Sequence, residues 1–309
     1  MFESNHQHTL KNRISASGIG LHSGKTINLT LAPAPANSGI TFVRTDINGF
    51  AVAASPQHVG STVLATSLQV GVDSVATIEH LMATFAGLGV DNALVEVDAA
   101  ELPIMDGSAS PFVFMLESAG IAEQPATRQV IRVLAPIQVC DGDAFIRLEP
   151  CDASVFSYSI DYDHPVFKAH APIAQVTLNS AVFKKEICRA RTFGFLDEVE
   201  KMQAMNLAMG GSLENAVVMD RSKILNQGGL RAEDEFAKHK ILDAIGDCYL
   251  LGHQLIGRFS GHKSGHRLNN ELLRQLLAAP DAYAIVDRCE VSPMSAQKAQ
   301  KPHPASVNG

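Results

Sequence analysis

The chain has 309 residues, 46% of them hydrophobic and 18% charged, with a formal net charge of −7. This composition excludes a disordered or fibrous chain, and the length exceeds the usual size of a single core, so two domains are expected. The acidic balance excludes a general attraction to nucleic acid or anionic membrane, leaving any anionic partner to a local basic cluster.

Along the chain, "TINLTLAPA" and "GITFVRT" alternate apolar and polar residues between turn formers and read as hairpin strands. In "SVATIEHLMATFAGLGVDNALVEV", Ile78, Leu81, Met82, Phe85 and Leu88 recur at helical spacing, glycines stop the helix, and "NALVEV" resumes as strand. After the turn "ELPIMDGSAS" comes a second helix, "PFVFMLESAG". The polar stretch "AEQPATRQ", residues 122–129, reads as a linker. The same order then returns: "QVIRVLAPIQV", "AFIRLEP" and "SVFSYSIDY" as strands, "FAKHKILDAIGDCYLLG" as a helix closed by Gly252, "QLIGRF" as a strand, "SGHKSGH" as a turn, and "NNELLRQLLAA" as a helix. This repetition predicts an α+β fold of two duplicated domains, each a small sheet layered with two helices, with a site between them. The boundaries are residues 1–125 and 126–290, with an insertion at 193–220 and a flexible tail at 291–309.

Five cysteines, Cys140, Cys151, Cys188, Cys248 and Cys289, form no C-x-x-C pair, which argues for reduced thiols and against a thiolate zinc ribbon. No run approaches the ~18 apolar residues of a membrane span, and "MFESNHQHTLK" is not a secretory leader, so a cytoplasmic protein is expected.

In "HKILDAIGD", His239, Asp243 and Asp247 recur one helical turn apart, opposite Ile241, Leu242 and Ile245. An i, i+4 His/Asp pair can share one divalent ion, although a solvated helix face would read the same. Glu79-His80 shifts the balance. His80 with His239 and Asp243 makes two nitrogens and one oxygen, the three-ligand set that leaves zinc an open position, and Glu79 is typed as a general base. His266 in the "KSGH" loop is a candidate proton donor with Asp247 as its partner, or else one more of twelve histidines. Arg258, Lys263 and Arg267 make a basic cluster suited to phosphate, or a solvated turn. "GIGLHSGKT" is not a P-loop: Ile19 stands where the first glycine is required, and a strand pattern follows.

"TIEHLMATFAGLGVDNALVEV", "ELPIMDGSASPF", "RARTFGF", "HKILDAIGD" and "KSGH", in this order and spacing, closely resemble the UDP-(3-O-acyl)-N-acetylglucosamine deacetylases of lipid A biosynthesis over residues 8–280. The resemblance implies zinc-dependent hydrolysis of the acetamide on an acylated UDP-glucosamine, with one Zn2+ on His80, His239 and Asp243. It also implies Glu79 as base, His266 as acid with Asp247 as its partner, and Thr192 at the oxyanion. Lys240, Lys263, Phe193, Gly211, Asp161 and Tyr162 are implied substrate contacts, the last two at the uridine. Where many members carry a cysteine near the metal, this chain has Ala65, which leaves no thiolate there for an extra inhibitory metal. A monomer without nucleic acid partners is expected. The competing reading is a nucleotide-sugar binding protein stapled by a structural metal.

Overall fold

The computed structural model describes residues 4–291. Thr26–Pro33 shows why its segment is a strand: Ile27, Leu29 and Leu31 alternate onto the buried face while Thr26 and Asn28 face outward. It lies in a five-stranded sheet ordered Ile14–Ile19, Thr26–Pro33, Ala93–Val97, Ile40–Arg44, Ala51–Ala53. All neighbours are antiparallel except Ile40–Arg44 with Ala93–Val97. The second half repeats this order and sense: Ile137–Asp141, Ala144–Glu149, Gln254–His262, Ser154–Ser159, Ile173–Thr177, with Gln254–His262 and Ser154–Ser159 as the parallel pair. Gln129–Val133 and Tyr283–Asp287 extend this sheet past the first residues of Gln254–His262. The duplication expected from sequence pattern is thus a duplication of topology in an α+β fold.

A parallel pair needs a crossover, and in each half the crossover carries a central helix, Glu79–Leu88 or Glu235–Tyr249. These two helices pack directly on one another. A Cβ on Gly246 would overlap the Glu79 carbonyl oxygen, so glycine is what lets the backbones approach this closely. One apolar core runs from Phe42 and Val95 through Leu81 and Phe85 to Ile241, Ile245 and Phe259.

Several expectations are corrected. Residues 122–129 are no linker: Ile121–Thr127 is a strand paired antiparallel with His6–Leu10. The polar face of Glu235–Tyr249 is not solvated, since His239, Asp243 and Asp247 are all buried against the helix Glu79–Leu88 and its surroundings. His266 is the first residue of the helix His266–Leu277 and not part of a loop, with Gly265 as its N-cap. The 193–220 insertion holds two parallel strands, Phe193–Phe195 and Val217–Met219, with the helix Leu196–Ala204 between them. Of the expected tail, residues 292–309 lie outside the described residues, while Val291 is buried with Val130 and Ile256.

Candidate active site

His80 and His239 enter from the two central helices and meet Asp243. Nε2 of His80 is 3.6 Å and Nε2 of His239 is 3.4 Å from Asp243 Oδ1, and the imidazoles stand nearly perpendicular, 5.0 Å apart. All three side chains are buried. His239 Nδ1 donates to the Ala190 carbonyl oxygen at 3.0 Å, which fixes the tautomer and leaves the Nε2 lone pair facing Asp243. Burial, helped by the neighbouring His80, pushes the His239 pKa down to about 4 against the attraction of Asp243, so the ring is neutral. Asp243 is held well below the usual carboxylate range: burial opposes its charge, but the Lys240 ammonium, its Nζ 3.3 Å from Oδ2, and the neighbouring His80 outweigh that. The neutral His239 imidazole and the ionised Asp243 carboxylate are the protonation states a divalent cation requires, and with His80 they place three ligand atoms within 4.8 Å of one another. Among the described residues His80 Nδ1 is buried without a hydrogen-bond partner.

Beside this cluster lies a chain of proton-carrying groups. His266 Nδ1 donates to Asp247 Oδ2 at 2.8 Å, and its Nε2 faces Glu79 Oε1 at 3.8 Å. Burial opposes the His266 charge, but Asp247 and Glu79 override it and raise its pKa to about 9, so the ring is an imidazolium at neutral pH. Burial raises the pKa of Glu79 against the pull of His266 and His80, making it a stronger base than an exposed glutamate. A cleft of about 300 Å³, lined by Thr62, Leu64, Lys263, Ser264, Gly265 and His266 among others, opens here to the surface.

The model of the LpxC family, UDP-3-O-acyl N-acetylglycosamine deacetylase, matches residues 7–278. The chain belongs to this family. Similar proteins named UDP-3-O-acyl-N-acetylglucosamine deacetylase include that of Methylococcus capsulatus, 54% identical over 91% of this chain and 92% of the relative. That of Marinobacter nauticus is 55% identical over 91% and 92%, and that of Chromohalobacter salexigens 53% over 94% and 97%.

Around the centre of this LpxC chain the remaining expected residues divide. Thr192 follows Ala190 by two residues, and its amide donates to the Gly107 carbonyl at 2.8 Å. Phe193 sets its ring 6.2 Å from His239 and joins Tyr162, Phe167, Phe195 and Phe236 in an aromatic cluster. Asp161 pairs with Lys263 at 3.1 Å, and Lys263 also reaches Asp143 at 2.6 Å. The basic cluster has no acids within its own stretch of sequence, but the fold brings them from elsewhere: Arg267 pairs with Asp141 and Glu271. Gly211 lies on a loop against Ala208 and Leu21.

Sequence reasoning missed the groups that hold these side chains. Arg191 and Glu235 form a buried ion pair at 2.8 Å that ties "RARTFGF" to the start of the second central helix, so the Ala190 carbonyl meets His239. Thr66 Oγ1 donates to Asp247 Oδ1 at 2.6 Å and Asn269 Nδ2 to Oδ2 at 2.7 Å. Ala65, next to Thr66, is buried. Ordinary threonine and asparagine residues carry no signal in one sequence.

Proposed function

We propose that the chain is a UDP-3-O-acyl-N-acetylglucosamine deacetylase of lipid A biosynthesis that hydrolyses the acetamide of its acylated UDP-sugar with one zinc ion on His80, His239 and Asp243. The observation that carries this reading is the buried cluster of three donors from two helices, beside a raised-pKa carboxylate and an imidazolium that lines a surface cleft. When bound, zinc supplies Lewis-acid polarisation to the acetamide carbonyl and the attacking water. Glu79 takes the proton of that water, and His266, charged at neutral pH, gives one to the departing amine, which is a very poor leaving group without it. Asp247 keeps the imidazolium charged and oriented, and Thr192 hydrogen-bonds the developing oxyanion.

Substrate contacts follow the same reading. Lys240 approaches the polar head, Lys263 exchanges its carboxylate partners for the diphosphate, Asp161 and Tyr162 meet the uridine, and Phe193 and Gly211 border the sugar and acyl group. The insertion carries Met205, Leu207, Met209 and Leu213 exposed, and its Gly210 lies against the exposed Ile19 of the first half, which supports an apolar path for the acyl chain. It crosses between halves, since Met209 and Gly210 amides donate to the carbonyls of His22 and Leu21 at 3.1 and 2.9 Å. Residues 1–125 and 126–290 are its two domains, and the enzyme works as a cytoplasmic monomer; no helix among the described residues is long and apolar enough to cross a membrane. A stapling metal without catalysis would call for a fourth protein ligand, and the cluster among the described residues has three.

The test is acetate release from the acylated and unacylated UDP-sugars together with metal analysis. Release from the acylated sugar and one zinc per chain, lost in His80→Ala and His239→Ala, are expected. Full zinc occupancy in both variants would sink the metal assignment, and no acetate from either sugar would sink the activity.

A further inference from the structure

Thr66, 1% exposed, touches both carboxylates of the proton chain. Its backbone amide donates to Glu79 Oε2 at 3.1 Å, and its hydroxyl donates to Asp247 Oδ1 at 2.6 Å. Glu79 comes from the first half and Asp247 from the second, so one residue of a first-half loop spans the seam between the central helices. The loop is built to hold that position. Ser67 closes it on Ser61 through the Ser67 amide at 3.0 Å and the Ser67 hydroxyl at 2.8 Å, both to the Ser61 carbonyl. The Thr66 carbonyl in turn accepts from Ile78, the residue that begins the helix of Glu79.

The consequence is an allotment of oxygens. Thr66 occupies Glu79 Oε2, leaving Oε1 toward His266 Nε2; it occupies Asp247 Oδ1, leaving Oδ2 to His266 Nδ1 and Asn269. We propose that Thr66 is a positioning residue, acting through Asp247 to aim the His266 imidazole at the substrate nitrogen while its amide aims the Glu79 carboxylate. This rests on the roles proposed above for Glu79 and His266.

The test is a double-variant cycle on the zinc-loaded full chain: Thr66→Val, Thr66→Ser, Asp247→Asn and Thr66→Val with Asp247→Asn, each read for kcat, KM, zinc content and melting temperature. Thr66→Val keeps the amide bond to Glu79 and removes only the hydroxyl bond. It should lower kcat about tenfold or more, the worth of one hydrogen bond to a charged group, with KM and zinc nearly unchanged. Thr66→Ser should restore kcat to within a few-fold, and in the Asp247→Asn background the valine should add little. Equal kcat losses in both backgrounds, or no loss with Asp247 intact, would overturn the proposal. If the valine protein fails to fold, Thr66→Ala is read in the same cycle with the same two outcomes. Normal turnover in Glu79→Gln would instead remove the assigned base, a failure of the earlier reading that the Thr66 cycle does not share.

Discussion

Glu79 Oε1 and His266 Nε2 face each other across 3.8 Å, one on the central helix of the first half and the other at the start of the last long helix of the second. A carboxylate with a pKa raised by burial and an imidazolium held charged by two carboxylates are thereby placed on one side of the three-donor cluster. On the proposed mechanism this arrangement divides the two proton transfers of amide hydrolysis between two residues.

Glu79→Gln should retain zinc and the native melting temperature yet lose about two or more orders of magnitude in kcat, the typical worth of a general base. Zinc content and steady-state acetate release check it together, and turnover within a few-fold of the parent would contradict the role.

Turnover efficiency against pH should be bell-shaped, with its alkaline limb at the pH where His266 deprotonates, its pKa standing at about 9 in the folded protein. Asp247 raises that pKa, so Asp247→Asn should move the limb to lower pH, and His266→Ala should abolish it with a larger effect on kcat than on KM. The same shift has a stability sign. A histidine whose folded pKa is raised contributes stability that is complete below its ordinary value of 6.5 and lost as pH rises through about 9. The urea midpoint of the parent should fall over that interval, and that of His266→Gln should fall less.

Gly246→Ala places a methyl against the Glu79 carbonyl oxygen and the Ala83 amide. The central helices must separate, at a cost of about 1–3 kcal/mol in urea unfolding, as for overpacked cores generally. Because His80 and His239 sit on opposite sides of that seam, zinc affinity should fall with stability. A destabilised variant with parental zinc affinity would show that the helix spacing does not set the metal geometry.

Leu207→Glu should leave folding intact, since the side chain is 36% exposed, and lower kcat/KM most for substrates with the longest acyl chain. A panel of UDP-sugars differing in chain length reads this directly; an equal effect across the panel would remove the insertion from the acyl path.

Much was legible in the chain itself. The alternation in Thr26–Pro33 and the helical spacing around Leu81 and Ile241 follow from local geometry, so strands, helices and their repetition could be read without a partner. His239 and Asp243 were readable for the same reason, because four residues make one helical turn and place both side chains on one face. Residues 122–129 misled because a short polar stretch with a proline looks like a loop until the strand His6–Leu10 is there to pair with it.

The sequence by itself determined the candidate donors and the candidate base as residue types on particular helices, and the candidate acid His266 as a residue type alone. Tertiary structure alone decided that Glu79–Leu88 is buried all round, that His80 crosses to His239, and that acids distant in sequence meet Lys263 and Arg267. It alone brought Ala190 to His239 and Thr66 to both carboxylates. The physical reason is range: helical and strand periodicity is written in neighbouring residues, whereas a hydrogen bond across 181 positions between Thr66 and Asp247 exists only once the two halves have closed on a shared core.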